Sequence, residues 1–364
     1  MTNFEEYIKQ TEPDKREKGL IWQVAIGLQQ VDGLTPSAYL IEIAKQNIEG
    51  DITIDEVKSR INSYYKTAAV RVDDADRTEE ADKVSANITD ILSEKTFSFS
   101  PVEYIGIHRR LFSGIYKFAG KIRDYNITKQ EWVLGGETVF YSSAPLIRET
   151  LEYDFREEKN FSYKGLSQQE QVEHITKFIS GLWQIHPFGE GNTRTTAVFA
   201  IKYLRTFGFK VENEPFAEHS WYFRNALVRA NYNDSAKGIL ATPKYLNRFF
   251  GNLLFGETHA LKNRELHIDF KAHVRDSEKL GVNKDTPNML GVSDGEKLGV
   301  KLNKNQLRIL ELIIFNDKTT MAEMAQSLSI SVTAVENNIR KLKERGIISR
   351  VGSDKTGHWL VGNQ

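Results

Sequence analysis

The sequence contains no cysteine, which excludes disulfides, thiol catalysis and cysteine-bound metals together. It has no surplus of either charge. Lys and Arg number 49 and so do Asp and Glu, so no global attraction to nucleic acid or membrane is expected. No apolar run approaches the length of a membrane span, and no membrane partner is expected. The first residues, Met1-Thr2-Asn3-Phe4-Glu5-Glu6, lack a basic segment followed by an apolar one. No secretory signal is read, and the cytoplasm is the expected location. What is present is an ordinary globular composition, 40% apolar and 27% charged over 364 residues, long enough for two or three domains.

One stretch organises the rest: Ile185-His186-Pro187-Phe188-Gly189-Glu190-Gly191-Asn192-Thr193-Arg194. Upstream, Val172, Ile175, Ile179, Leu182 and Ile185 recur at three- and four-residue steps, the period of a helix with one buried face. Downstream, Thr195 to Leu204 has no Gly or Pro and places Val198 and Ile201 one turn apart. The stretch reads as helix, tight loop, helix. Gly189 and Gly191 let backbone approach a ligand closely. Asn192 is expected to cap the second helix, whose free N–H groups favour an anion. Arg194 adds a positive fork for a phosphate oxygen. Glu190 would repel a phosphate directly and suits holding Mg²⁺ against it. His186 has the ordinary pKa for general-base work near neutrality, and Phe188 is read as an apolar anchor for the loop. Taken singly these are a helix stop, a turn and a surface arginine; within nine residues between two helices they are far more specific.

His186-Pro187-Phe188-Gly189-Glu190-Gly191-Asn192-Thr193-Arg194 resembles the signature of the Fic family, HxFx(D/E)GN(G/K)RxxR. The run Ala119-Gly120-Lys121-Ile122-Arg123 is similar to a second Fic segment, which extends the resemblance. The resemblance implies transfer of AMP from ATP to a Ser, Thr or Tyr hydroxyl of a target protein. It implies His186 as the base, Glu190 as the Mg²⁺ ligand, and Gly189, Gly191, Asn192, Thr193 and Arg194 around the phosphates. Thr193 replaces the usual Gly or Lys, and Ala197 stands where a second Arg commonly meets the γ-phosphate. Base and metal chemistry are retained, and the identity of the donor is left open.

Toward the N-terminus, Ile21, Val24, Ala25, Leu28 and Val31 form a helical stripe ended by Asp32-Gly33. Gly33 is a natural C-cap, whereas an acid in that place opposes the helix dipole. Asp32 is therefore either a solvated turn residue or a carboxylate reaching for a cation elsewhere. Helices are expected over 37–48 and 53–66. The layout from Lys15 to Ile61 is similar to antitoxin-like modules that inhibit Fic domains through (S/T)xxxE(G/N); Leu28, Asp32 and Gly33 take those positions. Two accounts follow: the inhibition is relaxed, or Asp32 now pairs with Arg194.

Residues 67–83 read as polar, with a short amphipathic helix over 84–92 and another from Val102. Over 124–145, Tyr125, Ile127, Trp132, Val133, Val139, Phe140 and Tyr141 are strand formers around Gly135-Gly136, a hairpin signal. The Fic resemblance makes this hairpin a flap that pairs with the target at Trp132, Val133 and Leu134.

Residues 304–364 form a separate pattern: helices over about 305–315, 321–328 and 332–345, then two strands around 352–357. This resembles a winged helix-turn-helix, with Thr333, Asn337, Arg340 and Lys341 on the recognition helix and Lys355 at the wing tip. Nine basic and six acidic residues give a net +3, modest for a DNA reader, so DNA and protein partners both stay open.

The expected protein is mainly α, with a helical regulatory module at 1–66, a Fic-type core with a β-hairpin flap at 67–265, a linker at 266–303 and a winged helix at 304–364. ATP and Mg²⁺ are the expected cofactors and a target hydroxyl the expected partner; oligomeric state is open between monomer and homodimer. The alternatives are a Fic enzyme that uses another donor or removes AMP, and a DNA-binding regulator with a nucleotide-sensing domain.

Overall fold

Two helices carry the centre of the fold. The first, α8 (Gln168–Ile185), starts with a reciprocal cap: Ser167 Oγ accepts from Glu170 N, and the Glu170 carboxylate accepts from Ser167 N. Val172, Ile175, Ile179, Leu182 and Ile185 are all buried on it, as the spacing predicts. The second, α9 (Asn192–Thr206), is buried on every side from Asn192 to Leu204. Its polar residues are accommodated by partners: Lys202 Nζ donates to Ile91 O and Glu94 O, and Thr196 Oγ1 is 2.9 Å from Tyr104 Oη.

The computed structural model describes residues 4–9, 12–66, 75–209, 214–270, 304–315, 319–328, 330–344, 347–351 and 358–361. They fall into two compact units, 1–280 and 281–364. Around α8 and α9 the first unit arranges α1 (Glu5–Ile8), α2 (Pro13–Gly27), α3 (Ala38–Glu49), α4 (Ile54–Lys66), α5 (Ala75–Ser93), α6 (Pro101–Phe112), α7 (Ile147–Asn160), α10 (Glu214–Glu218), α11 (Ser220–Ala230) and α12 (Lys244–Phe255). Among the described residues, no helix is long and apolar enough to cross a membrane.

Helix α2 serves two cores. Ile21, Val24, Ala25 and, one residue beyond its end, Leu28 join the main core around α8 and α9. Trp22 points into a second core with Leu40, Ile43, Ile48, Val57 and Ile61. Helix α5 is shared in the same way, through Val84 and Ile88 on one side and Ala86 on the other. It starts at Ala75, well before the expected 84, because acids that read as solvated have buried uses. Asp82 accepts from Ser37 N, Ser37 Oγ and Tyr65 Oη.

The β-hairpin expected over 124–145 is not formed as strands. Its tip is a 3-10 turn, Trp132–Leu134, closed by Glu131 N donating to Glu137 O at 2.9 Å. Val133, Leu134 and Val139 are fully buried, so these strand formers anchor the loop to the core. The edge expected to receive a target at Trp132, Val133 and Leu134 is already used: Ile268 N donates to Val133 O, and Leu134 N donates to Glu131 O. Trp132 is 43% exposed and packs edge-on against His267. The segment read as linker thus begins as packed chain, with Leu266 buried; residues 271–303 of it lie outside the described residues.

The second unit holds α13 (Lys304–Phe315), α14 (Met321–Leu328), α15 (Val332–Glu344) and two antiparallel strands, β1 (Ile348–Val351) and β2 (His358–Val361). Ile348 pairs with Val361 and Val351 with His358. Ile309, Ile313, Met324, Val335, Ile339, Leu342 and Trp359 form its core. Three helices and a two-stranded wing are the winged-helix architecture that the sequence predicts.

Candidate functional site

His186 terminates α8 with φ 50°, the only positive φ at a non-glycine among the described residues. That conformation costs an ordinary residue roughly 1–2 kcal/mol, and Arg123 holds it. The Arg123 Nε donates to His186 O at 2.8 Å, its backbone N donates to Pro187 O, and its Nη atoms reach Tyr125 O and Ser142 O. One buried guanidinium thus joins the base of the flap to the loop. The imidazole lies under Tyr141, ring centroids 4.1 Å apart. Its Nδ1 is 3.3 Å from Trp183 O, while Nε2 is buried with no partner among the described groups. Burial, and then the charges of Lys129, Arg123 and Arg224, hold this histidine well below its ordinary pKa; the Trp183 carbonyl opposes them only in part. At neutral pH the ring is uncharged, with its Nε2 lone pair facing the cavity.

The turn that follows is fixed by side chains. Asn192 does not cap α9 as expected; Gly191 does, at φ 77°. Asn192 instead folds back, its Oδ1 accepting from Phe188 N and its Nδ2 donating to Phe188 O. The first-turn N–H groups of α9 therefore keep no side-chain cap, and they favour an anion. Trp183 Nε1 donates to Thr193 Oγ1 at 3.0 Å. Phe188 is the expected anchor, stacked on His108 at 3.7 Å.

His108 is a site residue that periodicity alone reads as core. Its Nδ1 accepts from Gly120 N at 2.8 Å and its Nε2 is 3.0 Å from Glu190 O, which fits the neutral Nε2–H tautomer. Burial lowers it to about 4, with the Glu190 carbonyl opposing and Arg194 assisting. The unfolded chain therefore binds a proton that the folded chain refuses between about pH 6.5 and 4. Stability falls as pH falls through that window, by on the order of 3 kcal/mol for this one ring. Urea melts at pH 7 and pH 4.5 should show the loss, and His108→Gln should flatten the slope; an equal slope in both proteins refutes it.

Arg194 is buried (1% exposed) in a box of partners. Asp32 Oδ2 lies 2.8 Å from its Nε, Glu80 Oε1 2.7 Å from Nη2 and Gln29 Oε1 3.1 Å from Nη1, with Phe112 against its face. Burial works against its charge, but Asp32, Tyr116 and Glu80 outweigh it and raise its pKa. Of the two readings of Asp32, the geometry is the pairing one. Asp32 closes a 3-10 turn, Leu28–Asp32, and Gly33 turns away in the left-handed conformation. Its Oδ1 is also 3.4 Å from Arg224 Nη1. Arg224 donates in addition to Val31 O and to the buried Glu131. Glu80, Glu131 and Arg224 carry no motif: Glu80 sits in a polar run, and Arg224 in the aromatic run of α11.

The cavity beside the loop has room for roughly one water molecule, and its walls include His186, Glu190, Gly191, Asn192, Asp32 and Arg224. With Asp32 in place it is far too small for a nucleotide, whose sites typically span ~300–1,000 Å³. Gly189 borders Tyr125, whose Oη would lie 2.7 Å from an added Cβ. Trp132, Val133 and Leu134 do not line the cavity. Lys129, on the flap, pairs with Glu190 at 2.8 Å. No group of three or more His, Cys, Asp or Glu that could hold a metal occurs among the described residues. The other two carboxylates of the cavity wall, Asp32 and Glu131, are paired with arginines, so Glu190 fits Mg²⁺ carried on phosphates, which takes one or two protein carboxylates, and the set does not fit a protein-only metal site.

In the second unit Thr333, Asn337, Arg340 and Lys341 are exposed on α15, while Val335, Ile339 and Leu342 face inward. Lys355 lies outside the described residues.

Residues 98–204 match the Fic/DOC family, and residues 302–349 match a winged helix-turn-helix DNA-binding family. Over 164 residues the chain is 27% identical to protein adenylyltransferase VbhT of Bartonella schoenbuchensis, covering 45% of this chain and 33% of that protein. Over 138 residues it is 28% identical to a probable protein adenylyltransferase, y4lH, of Sinorhizobium fredii, covering 36% of this chain and 66% of that one. The chain thus spans a third of the length of the first relative and just under two thirds of the second. A crystal structure of a Fic family protein from Desulfovibrio desulfuricans G20 aligns over 100% of this chain and 94% of its own, with a TM-score of 0.41 and 13% identity. The signature loop between α8 and α9 falls inside the first matched region, and the three helices of the second unit fall inside the second, which ends within β1: the chain carries a Fic/DOC-family domain followed by a winged helix-turn-helix domain.

Proposed function

We propose that the protein transfers AMP from ATP to a Ser, Thr or Tyr hydroxyl of a protein substrate, and that Asp32 restrains this activity. The observation that carries the reading is the His186 Nε2, a buried lone pair without a partner among the described residues, on the wall of a cavity that also contains the Gly191–Asn192 turn. The hydroxyl oxygen attacks the α-phosphorus, its proton passes to His186 Nε2, and the bond to pyrophosphate breaks. The first-turn N–H groups of α9 meet the charge that develops on the phosphoryl oxygens. Glu190, freed from Lys129, and the phosphates would hold Mg²⁺, which supplies charge neutralisation at the leaving group. Proteins named as adenylyltransferases among the relatives support the same chemistry.

Asp32 is removable without stranding a charge. Without it, Arg194 keeps Glu80 and Arg224 keeps Glu131. Asp32→Ala should therefore fold normally and raise labelling from α-³²P-ATP, on itself or on proteins of a lysate, by roughly tenfold or more. Labelling from UTP, GTP or CDP-choline instead of ATP would reassign the donor, and no labelling from any would overturn the reading.

We further propose DNA as the partner of the second unit, through Thr333, Asn337, Arg340, Lys341 and Lys355. Fluorescence anisotropy with duplex DNA should show affinity that falls with salt and weakens on Arg340→Ala/Lys341→Ala; salt-independent or absent binding would favour a protein partner.

A further inference from the structure

Three acids line the cavity, and two of them are held by arginines: Asp32 by Arg194 and Arg224, Glu131 by Arg224. The third, Glu190, is held by a lysine, with Lys129 Nζ 2.8 Å from its Oε2. That lysine comes from the flap and not from the signature loop or its helices. Its place is imposed from both sides. Lys129 N donates to Thr138 Oγ1 at 3.1 Å, which ties it to the returning arm of the flap. Two residues on, Glu131 is buried and gripped by Arg224 at 3.0 Å. Toward the base, Tyr125 O accepts from Arg123 and Asn126 Oδ1 accepts from Ala144 N. Between these anchors lies the span 127–130, and within it the Lys129 side chain reaches across to the signature loop.

Both partners are partly open to water, the Lys129 side chain 21% and that of Glu190 53% exposed. A pair of that kind is weak, so it yields to a stronger cation. Glu190 is also the carboxylate that suits Mg²⁺ carried on phosphates. An ammonium and a divalent ion beside one carboxylate repel each other, so the two compete for one seat. The same ammonium is, after burial, the foremost influence on the His186 ring, which places it beside the reacting centre as well.

We infer that Lys129 is a resident cation that keeps Glu190 occupied until metal and nucleotide arrive, and that the exchange of one cation for the other releases the 127–130 span of the flap from the signature loop. The two effects are one coupling. Lys129 weakens metal binding, and by reciprocity the metal weakens the flap's hold by the same factor. Loading comes first and accommodation of the target second, because the flap is freed only by the exchange. This rests on the assignment of Glu190 to Mg²⁺ in the adenylyl-transfer reading and adds how the flap answers to it.

The test uses full-length Asp32→Ala with a non-hydrolysable ATP analogue, in EDTA and with increasing Mg²⁺. Calorimetry reads the Mg²⁺ concentration that half-saturates the gain in affinity, hydrogen exchange over 127–130 reads the flap, and melting curves verify that each variant folds. Adding Lys129→Met should lower that concentration by roughly three- to fivefold. In Asp32→Ala itself, Mg²⁺ should speed exchange over 127–130 by a similar factor; with Lys129→Met the exchange is already fast and ignores Mg²⁺. Lys237→Met removes a different cation that pairs with the flap, at Glu137, and should leave both readouts unchanged. A Mg²⁺ requirement that Lys129→Met does not lower, or that Lys237→Met lowers equally, overturns the exchange and leaves adenylyl transfer standing. Flap exchange in Asp32→Ala that ignores Mg²⁺ does the same. Glu190→Gln that keeps the full Mg²⁺ gain removes Glu190 from the metal, and the inference falls with that assignment. Failure of Asp32→Ala to bind the analogue at all overturns both readings.

Discussion

His186→Asn in the Asp32→Ala background lowers AMP transfer by roughly 10³-fold while nucleotide affinity stays within about threefold. Asparagine is the informative replacement because it tolerates the left-handed backbone found at this position. The loop therefore keeps its shape and loses only the ring. Alanine would add strain to the loss of the base and blur the result. In the proposed reaction the imidazole meets the attacking hydroxyl and not the phosphates, so its loss should affect the rate and not the binding. The acid limb of the pH–rate curve belongs below the ordinary histidine range, since burial and the neighbouring cations favour the neutral ring. Single-turnover labelling between pH 5 and 8 checks both points. Full activity in His186→Asn, or an acid limb above the ordinary range, would remove His186 from the reaction.

Gly191→Ala is expected to have the largest effect on stability of any single methyl group added to the site. The new Cβ would lie 2.3 Å from the ring of Phe112, which is fully buried, and the backbone there has φ 77°. Overpacking of about 1–3 kcal/mol adds to a backbone cost of about 1–2 kcal/mol. The melting temperature should fall by roughly 10 °C. Phe112 also stacks on Arg194, so nucleotide binding should fail together with stability. Differential scanning calorimetry and calorimetric titration would show both; an unchanged melting temperature would mean that the turn relaxes freely and is no rigid cradle.

The sequence made the signature loop legible because spacing and residue type coincide there. Val172 to Ile185 write one helix face, the two glycines write the turn, and His186 and Arg194 are conspicuous. The winged helix was legible for the same reason, since each of its helices has a clear stripe and a stop. The hairpin misled because Val133 and Val139 have strand-forming side chains that here serve as plugs into the core, and propensity does not distinguish those uses. Glu80, Glu131 and Arg224 were illegible because an ion pair across more than 90 residues leaves no local pattern. Asp32 was half legible. Its poor fit to a helix end indicated a cation, but only the fold shows that there are two.

The double duty of α2 limits how the restraint proposed for Asp32 would be lifted. Trp22 and Val24, two residues apart, plug opposite cores, so the segment carrying Asp32 does not swing away like a detachable plug. Trimming the chain back past Leu28 would gut the catalytic half itself rather than unleash it. Relief has to come from the last turn alone, Leu28 to Asp32, unwinding in place, which makes this brake one that slips by a few ångströms instead of one that falls off.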